Sequence, residues 1–154
     1  MGTKADGETK TILKKLAIYL PSFYLIYYLW SILLVGSLKV DWDELGAYPF
    51  RIRKDEFSPA HRDAALGAWL AMVLTYLCSL GLTYGVVKAT RKSWDYVVTS
   101  SLVHFVLCII VNQAFPVNWI WWLTLLLATL LVSVCAEFVN YYLRDMREIE
   151  LDHV

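Results

Sequence analysis

Three ionisable side chains interrupt otherwise apolar stretches of this 154-residue chain: Asp95, His104 and Glu137. A charge near the centre of a bilayer costs about 2.5–3.5 kcal/mol or more, so each of them needs a partner or a purpose. Asp95 follows the basic cluster Lys88, Arg91 and Lys92 and opens an apolar run. A carboxylate in a first turn faces the positive end of the helix dipole, so Asp95 reads as an electrostatic cap beside basic neighbours. Thr99, one turn on, is placed to share a hydrogen bond with it. At 100° per residue His104 lies on the opposite face, in a stripe with Ser100, Ser101 and Cys108 and with Asn112 at its edge. Such a stripe serves as glue between helices, at about 0.6 kcal/mol per hydrogen bond. A proton relay or a ligand contact is the sharper alternative. Glu137 is flanked by Ser133, Asn140 and Tyr141, and the basic cluster or Arg144 can pair with it.

These residues do not assemble a catalytic or metal site. His104 with Cys108 supplies two ligands where a structural zinc takes four, so no metal is expected. No Ser–His–acid or Cys–His arrangement converges on one face, and there is no glycine-rich phosphate loop. The expectation is a protein that is not an enzyme and needs no cofactor. Net charge is zero, which gives no argument for nucleic-acid binding. Cys78, Cys108 and Cys135 all lie in apolar runs and suggest no disulfide framework.

The elements that position these residues follow from hydropathy. The apolar share is 58%, charged residues are 18%, and mean hydropathy is +0.50. Soluble domains hold about half apolar residues. Four nearly uncharged stretches predict spans at about 16–38, 64–87, 94–115 and 117–142. About 20 apolar helical residues cross a hydrocarbon core of about 30 Å. The third stretch reaches that length with Trp94 and Phe115 as interfacial ends. No period-2 alternation suggests a barrel, so the spans are helices that satisfy their own backbone hydrogen bonds. The fold class expected is all-α: a polytopic four-transmembrane-helix bundle forming one membrane domain.

The polar start, residues 1–15, leads into an apolar run too long for a signal-peptide core. Met1-Gly2 lacks the hydroxyl residue that myristoylation expects, since Asp6 stands there. Lys4, Lys10, Lys14, Lys15, the Lys88–Lys92 cluster, Arg144 and Arg147 all fall on one side of the bilayer, which places both termini in the cytosol. The loop over 39–63 is then lumenal. Its Trp42, Tyr48, Phe50 and Phe57 suggest a cap folded back at headgroup level. Gly81 and Gly85 form a GxxxG pair that permits close helix contact, within the bundle or with a partner. Trp119, Trp121 and Trp122 open the fourth span as an aromatic belt.

From about residue 90 to 151 the chain resembles the Sys family of small Golgi membrane proteins. The resemblance is carried by Arg91-Lys92-Ser93-Trp94-Asp95, Thr99, His104, Cys108, Phe115-Pro116, Trp121-Trp122, Ala136-Glu137-Phe138 and Arg147-Glu148-Ile149, in matching order and spacing. The first half is similar in hydropathy alone. A lysine-rich segment stands where the family opens on Trp-Asp-Pro, a departure compatible with a divergent paralogue. The resemblance implies four spans, cytosolic termini and a Golgi receptor for an Arf-like small GTPase that acts in tethering and retrograde traffic. Asp95, Thr99, His104, Trp121, Trp122 and Glu137 are the positions shared most strongly. Two readings from other classes stand beside it: an accessory subunit packed among other membrane subunits, and a small proton-linked carrier using His104 and Glu137.

Overall fold

A computed structural model describes residues 4–60, 63–87 and 93–145. Four helices carry the chain: α1 (Lys4–Ser37), α2 (Asp63–Leu82), α3 (Ser93–Asn112) and α4 (Trp119–Asn140). All four contain stretches long and apolar enough to cross a membrane. α2 runs on into a π-helical turn over Thr83–Val87, and α4 does the same over Tyr141–Asp145. No strand occurs among the described residues. α1 begins well before the apolar run that starts at Leu16, because Thr9 to Lys15 continue the same helix as polar turns. α3 stops at Asn112, short of Phe115.

The ends of the helices are fixed locally. α1 closes with Lys39 in the left-handed region (φ 54°) and Val40 N–H donating to Val35 C=O at 3.0 Å. This is the Schellman arrangement, made here without glycine. Gln113 (φ 48°) plays the corresponding part after α3. Asn118 caps α4: its side chain accepts from Ile120 N–H at 3.1 Å while its amide donates to Phe57 C=O at 2.9 Å. Pro21 removes one backbone donor from the interior of α1.

α1 packs on α2, α2 on α4 and α4 on α3, and α3 returns to α1 to close the bundle. The buried face of α1 is aromatic, with Tyr19, Phe23 and Tyr27 at four-residue spacing, followed by Ser31 and Val35. α2 meets it with small residues, Ala65, Ala68 and Ala71, which let the large rings approach. The opposite faces carry Leu25, Leu29 and Leu33 on α1, Leu102, Val106 and Ile110 on α3, and Leu126 and Leu130 on α4. Leaving these apolar rows uncovered is what a helix in lipid requires, since hydrocarbon solvates them.

The first loop is part of this core. Tyr48, Ile52 and Phe57 are buried in the main apolar cluster. Polar ties hold the loop down: Tyr28 Oη donates to Gly46 C=O, Tyr48 Oη to Ala64 C=O, and Asn112 Nδ2 to Phe50 C=O. The Arg51 guanidinium lies 4.6 Å from the centre of the Tyr48 ring, a cation–π contact. Gly67 is the tight glycine among the described residues, since a Cβ there would press on Tyr48 Oη and stand 2.8 Å from Leu38 Cδ1.

Candidate functional site

His104, on α3, is fully buried where α1, the first loop and α4 meet that helix. Its ring lies 5.5 Å from Tyr27, 6.2 Å from Tyr24, 6.1 Å from Phe50 and 6.3 Å from Trp121, with the last two nearly parallel to it. α1 supplies the tyrosines, the loop supplies Phe50, and α4 supplies Trp121. Nδ1 is 3.4 Å from Tyr24 Oη, and Nε2 is 3.6 Å from Cys108 Sγ. In a neutral imidazole one nitrogen donates and the other accepts. The hydroxyl and the thiol can each take either part, so both tautomers are served. Asn112 closes the lower edge, its amide shared between Phe50 C=O at 2.6 Å and Cys108 C=O at 2.8 Å.

One helical turn away a second polar chain crosses three helices. Tyr76 Oη and Ser101 Oγ are 2.9 Å apart, and Ser101 Oγ and Thr129 Oγ1 are 2.7 Å apart. Ser100 and Ser101 also donate to Val97 C=O. The stripe Ser100, Ser101, His104 and Cys108 thus faces the interior, and hydroxyls meet hydroxyls between helices. Such bonds fix which faces pack together, at about 0.6 kcal/mol each. Among the described residues the groups within hydrogen-bonding reach of His104 are a hydroxyl and a thiol. Chemically this arrangement is a packed, hydrogen-bonded core.

The remaining sequence candidates lie elsewhere. Asp95 is exposed in the first turn of α3 and Thr99 is half-buried. Glu137 is exposed near the end of α4, at the same end of the bundle as Asp95. Arg91 and Lys92 lie outside the described residues. At that same end Lys15 reaches from α1 to donate to Val87 C=O, where α2 terminates. This places a cation on the negative end of the helix dipole. Tyr19, Val87 and Tyr96 form a small apolar cluster beside it, with the Tyr19 hydroxyl buried inside it.

One expectation is corrected. Trp121 is not part of an aromatic belt: it is fully buried against His104, whereas Trp119 is 64% exposed. Residues two apart on a helix point about 200° from one another, so neighbouring indoles cannot share one outward face. Trp122 is half-buried, donating to Pro116 C=O at 2.8 Å and packing on Phe105 and Phe115. The Gly81–Gly85 pair, expected to permit close contact within the bundle or with a partner, meets nothing within 4 Å of a Cβ at either position among the described residues, which leaves only the partner contact open. Both glycines face outward beyond the reach of α1 and α4. Among the described residues no group of three His, Cys, Asp or Glu could hold a metal ion.

The aromatic box itself escaped the sequence reading. The four-residue spacing of Tyr19, Phe23 and Tyr27 marks a buried face on α1, and it could have been found. Nothing in the sequence ties Phe50 to His104.

The chain matches the family model SYS1, described as an integral membrane protein linking to the trans-Golgi network, over residues 5–151. That match takes in all four helices and the first loop, well beyond the second half that carried the resemblance by motif. A curated relative, the protein SYS1 homolog of Nematostella vectensis, is 33% identical over 70 residues. The aligned part is 46% of this chain and 44% of that relative, so less than half of either is compared. No solved structure matches.

Proposed function

Because this chain belongs to the SYS1 family of integral membrane proteins of the Golgi, we propose that it recruits an Arf-like small GTPase to the trans-Golgi membrane during vesicle traffic. The observation that carries this reading is the family match over residues 5–151, which includes the basic second loop and the tail as well as the spans. The GTPase is what the resemblance of residues 90–151 implies, and the shape of the molecule is compatible with it.

Recruitment needs a surface outside the bilayer, and the four helices leave little chain for one. The span-bearing part of α1, Thr9–Ser37, has 29 residues and a length of about 43 Å, against a hydrocarbon core of about 30 Å. The surplus turns hold Lys10 and Lys14, both exposed, with Ile12 40% and Leu13 59% exposed between them. Asp95 and Glu137 are exposed at the same end of the bundle. The small surface we propose combines the N-terminal segment, the Lys88–Lys92 cluster and the tail after Arg144; residues 88–92 lie outside the described residues, and the cluster is argued from its sequence charges alone. Contacts of this size fall at the low end, below about 1,200 Å², which suits a transient partner.

The test replaces Arg91, Lys92 and Asp95 together by Ala in cells that lack the native protein. We expect the variant to reach the Golgi and the GTPase to become diffuse. Unchanged recruitment with a correctly placed variant rejects this surface.

A further inference from the structure

We propose that the groove between α2 and α4 holds an acyl chain of one bound phospholipid, whose phosphate rests against Arg53 and Lys54 of the first loop. The groove holds about 390 Å³ and is walled by Trp69, Leu77, Trp119, Leu123, Leu127 and Leu131. Its polar wall groups are already engaged. Trp69 Nε1 donates to Thr124 Oγ1 at 3.0 Å, Thr124 donates to Ile120 C=O at 2.8 Å, and the Tyr76 hydroxyl pairs with Ser101. Only hydrocarbon is presented to an occupant.

Dimensions decide which occupant fits. From Trp119 to Leu131 α4 rises about 18 Å, close to one leaflet of a hydrocarbon core of about 30 Å. A leaflet-deep hydrocarbon groove that runs up to a basic hollow matches one acyl chain beneath its own headgroup, and a partner helix is left as an outcome of the test.

A second hollow, of about 540 Å³, begins where the groove ends and shares Trp119 as a wall. Arg53, Lys54, Asp55 and Asn118 line it. The three charged residues are exposed. Guanidinium and ammonium groups suit a phosphate, and Asp55 beside them suits the amine of a zwitterionic headgroup. An indole at the junction of apolar and polar zones matches the usual place of Trp at a membrane interface. Neither hollow takes part in the proposed recruitment surface, which lies at the other end of the bundle.

The full chain, purified in detergent, is titrated with phosphatidylcholine and separately with diacylglycerol of the same acyl chains. Retained lipid is counted by native mass spectrometry. We expect one phosphatidylcholine per chain, held about fivefold better than the diacylglycerol. Arg53→Ala with Lys54→Ala should abolish that preference. Leu127→Trp, which enlarges a side chain 49% exposed in the groove, should lower retention of both lipids about fivefold. Leu123→Trp serves in its place if thermal melting shows the first variant to be misfolded. Equal retention of the two lipids, or undiminished phosphatidylcholine on a folded groove-filling variant, overturns the proposal. So does a dimer that the same variant dissociates, since the occupant is then a second copy.

Discussion

At the scale of single residues the main question is why a histidine sits in the middle of a membrane bundle. Four rings from three elements surround it, and its two nitrogens meet a hydroxyl and a thiol. Its value then lies in filling a flat, aromatic-lined space. His104→Ala should lower the melting temperature in detergent strongly, with a loss of about 3–5 kcal/mol typical of emptying an aromatic site. His104→Phe keeps the volume and should cost much less, under about 1.5 kcal/mol. Equal losses for the two variants mean that the polar contacts matter more than the packing. Glycines give a second contrast. Gly67→Ala forces a Cβ against Tyr48 Oη, which is tied to Ala64 C=O, and should cost about 1–3 kcal/mol. Gly85→Ala meets open space and should be neutral or slightly stabilising, as a helical glycine replaced by alanine gains about 0.5–1 kcal/mol. Thermal melting of the purified variants checks both. The sequence carried His104 and its stripe because a polar row at helical spacing stands out in an apolar run. It did not carry the pairing of these rings, which brings Tyr24 from 80 positions away, Phe50 from a loop and Trp121 from the next helix.

At the scale of elements the first loop does work that its length does not suggest. Three buried side chains and four side-chain bonds to backbone carbonyls fix it on the bundle. Asn118 is the most demanding of these residues, because it caps α4 and holds Phe57 C=O together. Asn118→Ala should cost about 1–2 kcal/mol and loosen both elements. Trypsin digestion of the purified chain reads the second effect: cleavage after Arg51, Arg53 or Lys54 should quicken several-fold in Asn118→Ala and in Asn112→Ala. Digestion at the wild-type rate means that the apolar side chains alone hold the loop. The helices were legible as apolar runs, since lipid leaves the backbone little choice. Their ends were less so: α1 extends over Thr9 to Lys15, where helical continuity rather than hydropathy decides. The indoles at 119–122 looked alike as residues, and only the turn of the helix separates the buried one from the exposed one.

At the scale of the whole molecule, four helices are long and apolar enough to cross a membrane, and we propose that they leave both termini and the second loop on one side of it. The family is established over residues 5–151, and it is a family of integral membrane proteins linked to the trans-Golgi network. Recruitment of a GTPase is the central claim that goes further. It is tested most directly by fusing a proximity-labelling enzyme to the C-terminus and identifying the labelled proteins by mass spectrometry. The account predicts an Arf-like GTPase and trans-Golgi tethers, lost when Arg91, Lys92 and Asp95 are replaced. Labelling dominated by the subunits of one membrane complex, with no small GTPase among them, contradicts it.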